Sequence, residues 1–131
     1  MFMLKLNPKL LTEELEKLKD VYSTEEVKTN KIWIDGRPIY RKVSEIGDLG
    51  ADVEHKIDIN INNLDTIVNI NGFSSIPNNN FSVPINFYNY ADVGGLYCFY
   101  DKNLNKLLCK SSWGMTGLYF ILEYTKTTDI V

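Results

Sequence analysis

The residues that could do chemistry in this chain are few and scattered. Its one histidine, His55, belongs to the alternating stretch Val53, His55, Ile57, Ile59 and Ile61, on the side of the apolar residues. Such a side chain reads as a core or interface histidine, because nucleophilic catalysis needs a base placed at a cleft beside its nucleophile. Asp48, Asp52 and Glu54 lie close together but lack the glycine and spacing of a calcium loop. Cys98, Cys109 and His55 are too far apart in sequence to suggest a set of metal ligands. Gly36 and Gly94-Gly95 read as turn glycines, and no phosphate-cradling sequence follows them. The expectation is a non-enzyme without cofactor or metal.

Two loops are richer. Tyr88-Asn89-Tyr90-Ala91-Asp92 and Ser111-Ser112-Trp113-Gly114-Met115 both fall between predicted strands. Saccharide sites need flat aromatic faces for sugar rings, together with Asp or Asn groups that hydrogen-bond hydroxyls. Tyr88, Tyr90, Asp92 and Trp113 supply both and form the candidate ligand surface. The alternative is that these aromatics fill gaps between protomers or cap the core.

The elements that must position these groups follow from periodicity. Asn7-Pro8 reads as a helix cap and first helical residue, opening a helix near residues 8–20. Leu11, Leu15, Leu18 and Tyr22 fall at 4-3-4 spacing, a narrow seam of the coiled-coil type. Residues 1–22 then form either an oligomerisation stem or a helix folded back on its own domain. From Lys31 the period changes to two, and residues 23–131 are expected to hold an all-β antiparallel sandwich of about eight strands. Asp35-Gly36 makes a hairpin turn within Ile32–Val43, and Pro38 suggests that the second arm starts as an edge. Residues 74–80 read as a polar loop, Phe81–Tyr88 as a strand broken by Pro84, and Gly117–Tyr124 as a central or covered strand. Across an Asn103-Leu104 turn, Asp101 faces Lys106, Tyr100 faces Leu107 and Cys98 faces Cys109, which predicts neighbouring, reduced thiols.

Composition bounds the class of partner. The chain has 131 residues, about one domain, with 44% hydrophobic and 24% charged residues. A net charge of −3 argues against nucleic acid, which is bound through a basic face. No apolar run approaches the roughly 18 residues of a membrane span, so no membrane insertion is expected. Met1-Phe2-Met3-Leu4-Lys5-Leu6 lacks the apolar core and cleavage site of a secretory signal, an expectation of synthesis in the cytoplasm.

Three segments carry a further signal: Tyr22-Ser23-Thr24-Glu25-Glu26 followed by Trp33-Ile34-Asp35-Gly36-Arg37-Pro38-Ile39-Tyr40-Arg41-Lys42, then His55 with Asn63-Leu64-Asp65-Thr66-Ile67, and finally Leu122-Glu123-Tyr124-Thr125-Lys126-Thr127-Thr128-Asp129. Together they resemble a signature of C-terminal modules in bacteriophage and prophage tail-fibre and receptor-binding proteins, over roughly residues 22–129. The resemblance implies a virion tail location, a homotrimer with its leucine seam at the axis, other tail proteins as partners, and a host cell-surface saccharide as ligand. A purely structural fibre or baseplate element is the alternative.

Overall fold

The computed structural model describes residues 7–17, 19–76, 81–89 and 94–130, and of Lys17, Phe81, Tyr88, Asn89 and Gly94 the backbone alone. Helix α1 spans Pro8–Lys17. Asn7 caps it as expected: its Oδ1 accepts the Lys9 N–H at 3.0 Å, satisfying one of the donors a helix start leaves unpaired.

Nine strands follow among the described residues: β1 (Val27–Ile32), β2 (Pro38–Leu49), β3 (His55–Asp58), β4 (Leu64–Ile76), β5 (Phe81–Pro84), β6 (Phe87–Asn89), β7 (Gly94–Asp101), β8 (Lys106–Ser111) and β9 (Met115–Lys126). They form two antiparallel sheets, β1-β2-β9-β4-β5 and β3-β8-β7-β6. Leu118, Phe120, Leu122 and Tyr124 of β9 face Leu96 and Cys98 of β7 and Leu107 and Cys109 of β8 in one core, with Ile59 and Ile61 between. The fold is an all-β sandwich. Its closing strand β9 is central, hydrogen-bonded on both sides; Leu118, Phe120, Leu122 and Tyr124 face the core, while Tyr119 on the other face is partly exposed. Among the described residues no helix is long and apolar enough to cross a membrane.

Several expected boundaries move. β1 begins at Val27, not near Lys31, and β2 lies inside its sheet between β1 and β9. Pro38 is tolerated there because it is the first residue of the strand, where a missing N–H disrupts no interior rung. β4 runs on through Ser74-Ser75-Ile76, whose backbones pair with Val83, Ser82 and Phe81; the rest of the expected loop, 77–80, lies outside the described residues. Alternation does not carry Val53 into a strand: it is exposed, and β3 starts only at His55, after the left-handed Asp52 at φ 58°. The break at Pro84 is a change of sheet. There Ile85 N–H bonds Gly72 O at 3.0 Å, while Asn86 Oδ1 receives the Cys98 N–H at 2.9 Å.

Candidate functional site

The loop between β8 and β9 is fastened at its base. Ser112 N–H donates to Gly95 O at 2.9 Å, Gly95 N–H to Ser112 Oγ at 3.1 Å, and Trp113 N–H to Ser111 Oγ at 3.1 Å. These bonds turn the indole of Trp113 inward: it is half-buried on the core, its ring centroid 6.5 Å from that of Phe87. Gly95 is also the backbone partner of Tyr88, so the main chains of the two aromatic loops meet at one residue. Tyr90 and Asp92 lie outside the described residues, as does the side chain of Tyr88. Trp113 thus serves the core with much of the surface expected to face a ligand.

On α1, Leu11 and Leu15 are 45% and 54% exposed, so neither is covered by the sandwich. Leu18 lies outside the described residues. Tyr22 lies C-terminal to the helix, its ring 4.1 Å from the Arg41 guanidinium carbon.

Residues of the three motif segments, distant in sequence, converge at one end of the sandwich, His55 excepted. In the β1–β2 turn, Asp35 accepts the Arg37 N–H at 2.9 Å and Arg37 Nη1 at 2.8 Å. The backbone N–H of Arg37, aided by its guanidinium, holds the Asp35 carboxyl below its ordinary pKa. Arg37 reaches on to Asp129 O at 3.2 Å and Asp65 Oδ2 at 3.4 Å. Asp65 Oδ2 also receives Thr125 Oγ1 at 3.1 Å, and Asn63 O receives the Thr127 N–H at 2.8 Å. Tyr40 and Tyr124 stack with centroids 6.1 Å apart. Tyr40 donates to Asp129 Oδ2 at 2.8 Å and Tyr124 to Glu26 Oε1 at 2.6 Å, while Lys126 pairs with Glu26 Oε2 at 2.7 Å. Each carboxylate meets a cation or a phenol already in place. The arrangement clamps the hairpin, the start of β4 and the end of β9 together.

Burial, assisted by the facing carboxylates, raises the Tyr40 and Tyr124 pKa values above the ordinary tyrosine value of 10.0. Both phenols therefore contribute stability that is fully present below pH 10, where the unfolded chain keeps its tyrosines protonated, and lost as pH rises towards the folded values. The melting temperature is expected to hold steady to about pH 9 and fall above about pH 10, with a shallower fall in Tyr124→Phe. An identical alkaline slope in that variant would remove Tyr124 from the effect.

A second cluster surrounds Arg41, which is 2% exposed although it points away from the core on β2. Its guanidinium bonds Glu123 Oε2 of β9 at 3.1 Å, Asp20, and Val21 O at 3.4 Å, and is covered by Tyr22. Residues 20–23 thus form a strap over the first sheet, tied down again by the Val43 N–H donating to Ser23 O at 2.9 Å. The sequence signature contains Arg41, Glu26 and Glu123, but sequence reasoning assigned none of them a role. The available signal was an arginine in phase with Ile39 and Val43 on a strand.

Cys98 and Cys109 pair directly in register, as expected, and both are buried free thiols. Contact with the Cys109 thiol, then burial, pushes the Cys98 thiol well above its ordinary pKa, which makes it a poor nucleophile. His55 pairs with Cys109 on the other side, half-buried, and its Nε2 has no hydrogen-bond partner among the described residues. Among the described residues no three His, Cys, Asp or Glu side chains gather in a way that could hold a metal ion.

No protein-family model matches the chain, and no curated protein or solved structure matches it either.

Proposed function

We propose that the chain is a trimeric tail-fibre module of a phage or prophage, whose sandwich presents a surface to host saccharide. The observation that carries this reading is the leucine seam of α1. Leu11 and Leu15 stay exposed beside Leu10, and solvent-facing leucines in one short helix are what a partner helix would cover. Ten helical residues are too few to associate alone. The strap through Asp20, Val21 and Tyr22 ties the stem to the first sheet, so neighbouring sandwiches would add to the association. The motif residues bond mainly to one another, which gives them a scaffold role in this reading and leaves recognition to other surfaces.

Light scattering tests the assembly. The wild-type chain is expected at three times its mass of 15.1 kDa, and Leu11→Glu with Leu15→Glu at the monomer mass with the sandwich still folded. A monomeric wild type would contradict the stem. The interior bonding of the motif residues also suits a purely structural fibre element; such an element would form the same trimer yet bind no polysaccharide.

A further inference from the structure

We propose that a single saccharide unit binds in a cleft at the end of the sandwich, between the start of β4 and the β7–β8 turn. The proposal rests on the reading above and gives its ligand surface a location away from Trp113. The cleft has a volume of about 320 Å³, at the small end of the roughly 300–1,000 Å³ of ligand sites. That suits one sugar residue of a longer chain.

Its walls come from the two sheets. Leu64 and Tyr100, both half-buried on the core, give it an apolar lining against which the C–H face of a pyranose fits. The polar groups around it are only partly spent on the fold. Tyr100 donates its hydroxyl to Asn105 Oδ1 at 2.6 Å, which orients that amide and leaves its Nδ2 hydrogens as donors. Asp65 uses Oδ2 for Arg37, Thr66 and Thr125, whereas Oδ1 receives no bond among the described residues. The Asn63 carboxamide and the Lys102 ammonium likewise have no partner there, although the Asn63 carbonyl is held by Thr127.

A carboxylate oxygen, two amides and an ammonium around an apolar lining match the adjacent hydroxyls of a sugar, each both donor and acceptor. One carboxylate and one ammonium roughly balance, so the cleft does not favour a multiply charged anion. Its polar groups are also held in place. Arg37 and Thr125 fix Asp65, and left-handed backbones fix Asn63 at φ 58° and Asn105 at φ 53°. Asparagine enters that region more readily than most residues, so the backbone alone would also select it at both positions.

Glycine separates the two roles, because it keeps the left-handed backbone and removes the carboxamide. Amide chemical shifts of the full chain would be followed while glucose, galactose and N-acetylglucosamine are added in turn at millimolar concentration. The expected result is saturable shifts, with at least one of the three sugars, at residues 63–65 and 100–105. Asn63→Gly and Lys102→Ala should each weaken them at least tenfold, with melting temperatures close to wild type. Saturable shifts confined to the surroundings of Trp113, or none with any of the three sugars, would overturn the cleft. If the wild type and both variants are retained equally on immobilised bacterial polysaccharide, the cleft fails while the saccharide reading stands. If the wild type is retained by none, that reading itself fails.

Discussion

Gly72→Ala is expected to lose a large part of the stability of the sandwich. Gly72 lies in β4 opposite Phe120 of β9. A methyl group there would sit 2.2 Å from the carbonyl oxygen of Tyr119, and 3.3 Å from Ile85 Cγ2 and Phe120 Cα. A flexible side chain could swing aside, but a carbonyl inside a ladder cannot do so without moving its strand. β9 is hydrogen-bonded to both β2 and β4, so the displacement spreads through the five-stranded sheet. Overpacking costs typically about 1–3 kcal/mol and occasionally more; with the clash on a ladder carbonyl the upper end, about 3 kcal/mol, is expected, a large part of the roughly 5–15 kcal/mol of a typical domain. Urea unfolding measures it directly, through a lower midpoint or the loss of a cooperative transition. A midpoint within experimental error of wild type would show that β4 and β9 do not approach as described.

Arg41→Ala should be nearly as damaging, for an electrostatic reason. Its removal leaves the Glu123 carboxylate, whose side chain is 14% exposed, with Asn69 as its one remaining hydrogen-bond partner among the described residues. Removing one member of a buried pair costs on the order of 3 kcal/mol. Arg41→Lys should recover only part of this, since an ammonium cannot fork between Asp20 and Glu123. The strap over the first sheet should open as well, so protease cleavage among residues 19–26 should precede global unfolding. Asp20→Asn should be far milder because that carboxylate faces solvent. The Arg41 hydrogen bond lowers the Asp20 pKa below the ordinary 3.8, so its share of stability is present above that value and fades as pH falls through the folded pKa. An Arg41→Ala variant with unchanged melting temperature and proteolysis would mean that the strap does not hold the stem.

Local rules made much of this fold legible. Period-two runs and turn residues locate the strands, the Asp35-Gly36 turn and the Cys98–Cys109 register, because each depends on neighbours in sequence. What they leave out depends on distant partners. Arg41 is buried only because Asp20 and Glu123, far away in the chain, arrive on the same face. β4 continues through Ser74 and Ser75 because β5 returns to pair with it on one side while Thr116 and Tyr119 of β9 pair with it on the other. Pro84 ends one strand and redirects the chain to the other sheet, a change that no periodicity encodes.

The candidate ligand site fared differently for the same reason. Trp113 lies beyond the last residue of β8, where alternation ceases to tell whether a side chain faces in or out. Its composition is equally that of a sugar platform and of a core cap, and its N–H donating to Ser111 Oγ, beside the Gly95 N–H donating to Ser112 Oγ, holds the loop with the indole inward. Asn63-Leu64-Asp65 figures in the sequence as part of the signature segment, and Tyr100 to Asn105 reads as a hairpin tip. Their joint chemistry emerges only when the two sheets bring them to one cleft.

Retention of the intact chain on a panel of immobilised bacterial surface polysaccharides tests the proposed function most directly. Saturable retention by at least one of them is expected, reversed by the same polysaccharide in solution. The Leu11→Glu, Leu15→Glu monomer should be retained about a hundredfold more weakly, because each site alone is weak and three act together. A folded trimer retained by no member of the panel would contradict saccharide recognition and favour the purely structural fibre element.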